Sequence, residues 1–470
     1  MTTKSRFALA VAITLLVSIL TITILVLRPR EIKIGKAALP GDVNGDGIVN
    51  ILDFQLLSNS FGKSVGQTGY DARCNFNADN SVNVLDFQIL SNNFGKTETV
   101  TNTPTPKVTQ GPTPTFPPPP TGGGIWISKS ELMALPSSGT AWNGLKSSCD
   151  SLTASPGLLA QAGGHTSEHD VKTLACAYVA VRLNSPSYYQ KTVDNLVAAV
   201  GSETRCGGDT CNSLSLHRNL AAYAIAADVI DFPHNGYSAY GKTEAYFRDW
   251  LNRMLVYDHP AGGGCGGSNC DVISKHENHA SNHGTVAGAS RMAIDLYLGN
   301  TADFTKAAKV FKGYTGDRSS WVFNTAFGDT SWQCNPSLPI PINPQGCTKV
   351  YSGTTYSIDG AEAAEMQRGG AFQLPPIRTQ YPWAALTGSV VQAEILYRKG
   401  YDSYGWGNQA MKRAVQFLYN LDKTYGGWWA THSQQAWIPW TINKRYGTGF
   451  PTISPMNEGT NMGWTDWTHK

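Results

Sequence analysis

The stretch "TETVTNTPTPKVTQGPTPTFPPPPTGGG", residues 97–124, limits the architecture more than any other part of the chain. It has almost no apolar periodicity and cannot bury a core, so it is expected to lie extended as a polyproline-type tether at roughly 3 Å per residue. The 470 residues must therefore fold as separate units on its two sides, and a hydrophobic content of 41% suffices for at least one large core. With 37 Lys+Arg against 34 Asp+Glu and no basic stripe interleaved with aromatics, a nucleic-acid partner has no support.

Before the tether the chain repeats itself. "GDVNGDGIVNILDFQLLSNSFGK" returns as "CNFNADNSVNVLDFQILSNNFGK", the mark of a duplicated supersecondary unit over residues 41–96. In the first copy Asp42, Asn44, Asp46, Asn50 and Asp53 stand at positions 1, 3, 5, 9 and 12 of a loop. Gly47 sits at the sharp turn, and Ile48 offers its backbone carbonyl. These are oxygen ligands at the spacing a calcium ion needs. The second copy offers Asn75, Asn77, Asp79, Ser81, Asn83 and Asp86, with Asn80 in place of the turn glycine; its lower charge predicts weaker calcium binding. The helix after each loop carries an apolar stripe, Phe54, Leu57 and Phe61 or Phe87, Leu90 and Phe94, and the two stripes are expected to bury each other.

Paired calcium loops, each followed by a helix and closed by Asp at position 12, resemble the type I dockerin domain. The resemblance implies Ca2+ as cofactor and a cohesin-like protein partner. It departs from the family at positions 10 and 11, where small hydroxylated residues are usual and this chain has Ile51-Leu52 and Val84-Leu85. A calcium-rigidified spacer is the other reading of the same residues.

At the N-terminus, within residues 1–36, "FALAVAITLLVSILTITILVL" (residues 7–27) is uncharged and long enough to span a bilayer. It reads as a transmembrane anchor, or as a long signal peptide of a secreted protein; "LRPREIKIG" offers no small-x-small cleavage site. Basic residues on both sides leave the topology open. Either way the protein is placed outside the cytoplasm, and the nine cysteines agree. Cys206 and Cys211, Cys265 and Cys270, and Cys334 and Cys347 are close pairs across Gly-, Asp-, Asn- or Pro-containing segments, as in disulfide-closed loops. Cys149 and Cys176 can form a fourth bridge, which leaves Cys74 odd. Zinc is the rival reading, but the pairs lack the spacing of zinc knuckles.

Residues 125–470 read as mainly α. Val171, Leu174, Ala175, Tyr178 and Val181 form one stripe, and Leu216, Leu220, Tyr223, Ala227 and Ile230 another. Phe247, Trp250, Leu251 and Met254 form a third, and Leu386, Val390, Ala393 and Tyr397 a later one. Helices repeatedly separated by Gly/Pro/Asn-rich segments suggest an α/α toroid of helical hairpins with the chemistry on the connections.

The chemistry-bearing stretch is "HENHASNHGT", His276 to Thr285, just before the alanine-rich run "TVAGASRMAIDLYLG". Asn282 or Ser281 could be an N-cap and nothing more. Zinc held by His279 and His283 would want the Glu of an H-E-x-x-H run, which is missing. An amide beside an imidazole instead suits a reaction in which a carboxylate is made less negative while a base removes a neighbouring proton.

Together with "IDGAEAAEMQRGGAFQLPPIRTQYPWAALTGSVVQAEILYRKGYDSYGW", this stretch resembles the alginate lyase family of polysaccharide lyases, whose fold is an α/α toroid. The resemblance covers most of residues 125–470. It implies β-elimination on a uronate polymer, with an acidic polysaccharide as substrate and no obligatory metal. Asn282 would neutralise the sugar carboxylate, and His283 would share that task or act as base. Tyr381 would abstract the C5 proton, protonate the leaving oxygen, or both. An arginine would hold the carboxylate and favour the phenolate: Arg378 by proximity, or Arg368 by its Glu-x-x-Arg context.

Weaker candidates surround this set. Arg218, beside His217 and Asn219, could reach the groove. "GGWWATHSQQAWIPW" offers Trp428, Trp429, Trp437 and Trp440 as sugar-stacking platforms or as plain packing. His165 and His169 flank a helix start. A glycoside hydrolase using Asp359, Glu362 or Glu365, and a non-catalytic glycan-binding surface protein, are the competing function classes.

Overall fold

A computed structural model of the chain describes residues 40–44, 48–96, 123–156, 168–204, 213–258, 270–323, 328–429, 433–456 and 459–470. It divides into two compact units whose border falls within the Pro/Thr-rich segment. The apolar run 7–27, the tether itself, His165 and three of the cysteines (Cys206, Cys211 and Cys265) lie outside the described residues. Among the described residues no helix is long and apolar enough to cross a membrane.

In the first unit the repeat gives two helices, α1 (Ile51–Ser60) and α2 (Val84–Asn93). Each starts in a capping box: the Asn50 side chain accepts from Leu52 N while Asp53 Oδ2 accepts from Asn50 N, and Asn83, Leu85 and Asp86 do the same. The copies then interlock. Gly62 N at the end of α1 donates to Val82 O of the second loop at 2.7 Å, and Gly95 N at the end of α2 donates to Val49 O of the first loop at 2.7 Å.

The small core is Val43, Val49, Leu57, Cys74, Val82 and Leu90. This corrects the expected face-to-face stripes: Leu57 and Leu90 are buried, but Phe54, Phe61, Phe87 and Phe94 are exposed. The end of each helix is tied to the opposite loop, at Val82 or at Val49. The phenyl rings are left outside, where Phe54 and Phe87 meet edge to face at 5.9 Å. Among the described residues Cys74 is a buried thiol that forms no disulfide, and burial pushes it up to about 12.

The second unit is mainly helical. Its helices are α3 (Lys129–Ala134), α4 (Thr140–Ser151), α5 (His169–Leu183), α6 (Pro186–Ala199), α7 (Ser213–Val229), α8 (Glu244–Leu255), α9 (Val272–Asn278), α10 (Asn282–Leu298) and α11 (Thr301–Tyr314). A hairpin, β1 (Thr348–Tyr351) and β2 (Thr354–Ser357), follows with Thr348 opposite Ser357. Then come α12 (Ala363–Met366), α13 (Tyr381–Arg398), α14 (Trp406–Tyr425), α15 (Trp437–Tyr446) and α16 (Thr465–Thr468).

Two layers alternate along the chain. In α13 every residue after Tyr381 is buried, and α7 and α10 are buried on nearly all sides. Such helices belong inside. In contrast α8 buries only Phe247, Trp250, Leu251, Met254 and Leu255, a stripe against an aqueous face. The inner helices α5, α7, α10 and α13 are neighbours in that order, and α4, α6, α8 and α11 flank them. The end of the chain returns to its beginning: Trp464 Nε1 donates to Val171 O at 3.0 Å, and the Trp467 ring packs on Trp142 at 5.3 Å. Disulfides join Cys149 to Cys176 and Cys334 to Cys347, and Cys270 is also disulfide-bonded.

One glycine sets the spacing at the centre. A Cβ on Gly388 of α13 would collide with the backbone of Thr285 and Val286 in α10. The two helices therefore cross backbone to backbone near their starts, which brings the first turns of α10 and α13 into one neighbourhood.

Candidate active site

The first turn of α10 begins at Asn282, with Ser281 as N-cap in extended backbone; the Ser281 side chain makes no capping bond. The cap comes from elsewhere in the sequence. Glu365 of α12 accepts the Asn282 backbone N–H through Oε1, placing a carboxylate at the positive end of the helix dipole. A Cβ on Gly284 would strike the His279 carbonyl. Glycine is what lets the end of α9 lie against this turn, so the last residue type of "NHG" has a packing reason.

Asn282 is buried, yet its Oδ1 has no hydrogen-bond partner among the described residues. An unmatched buried amide oxygen costs about 1–3 kcal/mol, a cost that a bound ligand can remove. Next to it His283 is pushed down to about 3, by burial first and then by the positive charge of Lys275, His279, Arg218 and Arg368. It is a neutral imidazole at neutral pH, able to hydrogen-bond but without the basicity to keep a proton.

Tyr381 opens α13, and the Arg368 guanidinium carbon stands 3.5 Å from its ring centroid. That is a close cation–π stack. Arg368 Nη1 also lies 3.9 Å from Glu365 Oε2. Arg378 goes elsewhere: it is exposed and its Nη1 donates to Gly427 O at 3.4 Å. Of the two arginines, Arg368 is the one brought to Tyr381. Arg218, in the second turn of α7, is buried and pushed down to about 10 by that burial, while the charge of Glu365 acts to raise it. It stays cationic at neutral pH and its field reaches both His283 and Glu365.

Glu365 thus touches the backbone of Asn282 and the head of Arg368, and burial pushes it up to about 7. Its role as the cap of another segment was not readable from the sequence. The signal that was present is the Glu-x-x-Arg spacing in "EMQR", which puts the two side chains one turn apart. Glu362, also buried, receives the Tyr314 hydroxyl at 2.9 Å and is held well above the usual carboxylate range by burial. Asp359 is clamped by Arg413 at 2.6 Å. Of the three carboxyl groups that the hydrolase reading names, Glu362 and Glu365 are buried and Asp359 is paired with Arg413.

The first half of the histidine stretch is structural. His276 is buried with Nδ1 3.4 Å from Arg291 Nη1, and Arg291 bridges Glu277 and Asp303 at 2.9 and 2.5 Å. His279 Nε2 meets Lys275 Nζ at 3.3 Å. His169 bonds Tyr223 and Asn195 inside the core.

The tryptophan platforms need correcting. Trp428 and Trp437 are buried, with the Trp437 indole donating to Thr460 O, so neither offers a face to a sugar. Trp429 is half-buried among Trp383, Tyr419 and Phe450, and Trp440 donates to Ile453 O. Trp428 and Trp437 answer a packing demand that composition alone cannot distinguish from sugar binding.

The calcium loops can be tested for fit. In the second loop Asn77 Nδ2 and Asn83 Nδ2 both donate to Asp79 Oδ2 at 2.9 Å, so positions 3, 5 and 9 already converge. Asn75 Oδ1, at position 1, is buried without a hydrogen-bond partner among the described residues. Asp86 Oδ1 accepts Phe76 N at 2.7 Å, and Asp53 Oδ1 likewise accepts Val43 N at 2.8 Å, closing each loop. An orphaned oxygen inside converging oxygen donors fits calcium. Asp46 lies outside the described residues, while Asp42 is buried.

Two interlocked loops with oxygen ligands at calcium-type spacing make up this small separate unit. Residues 40–103 match the Dockerin type I domain family. Such domains bind Ca2+, attach their protein to cohesin partners, and typically occur in extracellular or cell-surface proteins. Comparisons with curated proteins and with solved structures found no match to the chain.

Proposed function

We propose that residues 125–470 form a polysaccharide lyase that cleaves a uronate-containing, alginate-like glycan by β-elimination. The observation that carries this reading is the Arg368–Tyr381 stack joined through Glu365 to Asn282. It gathers an amide, a cation and a phenol from three segments. We read the two alternating layers, and the return of Trp464 and Trp467 onto α4 and α5, as an α/α toroid.

The chemistry follows from the groups. The Asn282 amide and the Arg368 guanidinium, with Arg218 behind them, take the sugar carboxylate and reduce its charge, so the adjacent C5–H becomes more acidic. Tyr381 removes the C5 proton. The electron pair left on C5 forms the C4–C5 double bond as the C4–O bond breaks, and the departing oxygen regains a proton from the same phenol. His283, neutral, hydrogen-bonds rather than serves as base. The calcium module would deliver this activity to a cohesin partner outside the cytoplasm, with residues 7–27 as tether or export signal.

Incubation with alginate, glucuronan and related polymers tests the proposal. A lyase creates unsaturated ends with new ultraviolet absorbance; a hydrolase yields reducing ends alone, and a non-catalytic binder neither. Loss of that absorbance in Asn282→Ala and Tyr381→Phe is expected, and full activity in both would remove the assignment.

A further inference from the structure

Away from the candidate elimination site lies a cavity of about 330 Å³ between α14 and the segment that carries the β1–β2 hairpin. That volume is at the small end of the range for small-molecule sites, roughly 300–1,000 Å³. None of Asn282, His283, Arg368 or Tyr381 lines it.

Its walls are preformed. Trp332 is buried at one side, packed edge to face on Phe372 at 4.7 Å. The segment behind them is tied by the Cys334–Cys347 disulfide and by Asn343, whose Nδ2 donates to Trp332 O and Ile358 O at 2.9 and 3.2 Å. Two further aromatic rings line the cavity, Tyr356 and Tyr425, the latter 38% exposed.

The charges in the cavity are already used. Arg413 donates to Asp359 at 2.6 Å and to the carbonyls of Asn343, Gly407 and Asn408 at 2.7 to 2.9 Å. What is left is uncharged hydrogen-bonding capacity along one stripe of α14. Gln416 Nε2 donates to Asn420 Oδ1 at 2.8 Å, which leaves Gln416 Oε1 and Asn420 Nδ2 for a ligand.

With Trp332 buried behind them, the less buried rings of Tyr356, Phe372 and Tyr425 and the uncharged side chains of Gln416, Asn420 and Thr424 suit a sugar ring, with C–H faces to stack and hydroxyls to bond. Among the described lining residues the one Lys or Arg is Arg413, already engaged, which favours an uncharged sugar over a carboxylated one. We propose that this cavity binds one or two rings of a neutral glycan, as a second carbohydrate site separate from the one that takes the uronate.

The test is calorimetric titration of the full chain with neutral gluco-, xylo- and manno-trisaccharides, beside a uronate trisaccharide. At least one neutral sugar should saturate with Kd below about 1 mM. Tyr425→Ala and Asn420→Ala, both on an outer helix, should each weaken that binding at least tenfold while helical circular dichroism and uronate binding stay unchanged. Absence of neutral-sugar binding up to about 10 mM, or binding that both variants leave intact, overturns the proposal. These readouts are independent of lyase activity, so failure of the elimination reading and failure of this one are distinguishable.

Discussion

Replacing Glu365 by Gln separates what this carboxylate does for stability from what it does for the site. Glu365 is fully buried and pushed up from 4.5 to about 7, with burial as the largest cause. For a carboxyl group raised in the folded state, the native protein holds the proton more tightly than the unfolded chain. Stability is therefore fully present below 4.5 and is lost as pH rises through about 7. A rise from 4.5 to about 7 corresponds to roughly 3 kcal/mol above pH 7.

Glu365→Gln keeps an oxygen to accept the Asn282 N–H but removes the charge facing Arg368. The variant should match wild type near pH 4.5 and gain stability at pH 8, by as much as about 3 kcal/mol in urea titrations of the second unit. Its elimination activity should fall at the same time, since Arg368 loses its anchor. A Gln variant no more stable relative to wild type at pH 8 than at pH 4.5 would refute this account of the carboxylate.

Other outcomes are equally specific. Arg368→Ala should lower the initial elimination rate about 100-fold, whereas Arg378→Ala should leave it within about threefold; equal losses would put the wrong arginine at the tyrosine. His283, pushed down to about 3, should show no imidazole titration by NMR between pH 5 and 8. Because its folded pKa is depressed, the stability linked to it is present above 6.5 and declines as pH falls toward 3. Gly388→Ala should cost about 3 kcal/mol or more, read from denaturant midpoints, since the new methyl meets backbone rather than a movable side chain. Calcium should raise the melting temperature of the first unit in the full chain. Asp42→Ala should weaken that effect more than Asn75→Ala, because the first loop carries the greater charge.

Periodicity revealed the helical stripes because their residues share one physical demand, and Val171 through Val181 and Leu386 through Tyr397 are buried accordingly. It could not reveal that α7, α10 and α13 are buried all round, since a helix inside a second layer loses the polar face that periodicity detects. The loop spacing exposed the calcium module for a different reason: ligand positions are fixed by local chain geometry. The phenylalanines of that module misled, because burial there is decided by which loop each helix meets. At the candidate site Asn282 and Tyr381 stand out by residue type, while the choice of Arg368 over Arg378 depends on the path of residues 369–380. No local pattern reports where that path ends.

The crossed hydrogen bonds of the first unit, Gly62 to Val82 and Gly95 to Val49, tie the end of each helix to the loop of its twin. Neither half then has a finished edge of its own, and a single copy would be left with unmet backbone groups at both places and half a core. Duplication here made an obligate pair rather than a spare. Loosening one loop, by stripping its ion or changing its capping asparagine, should be felt in the other, so the module should lose its grip as a whole.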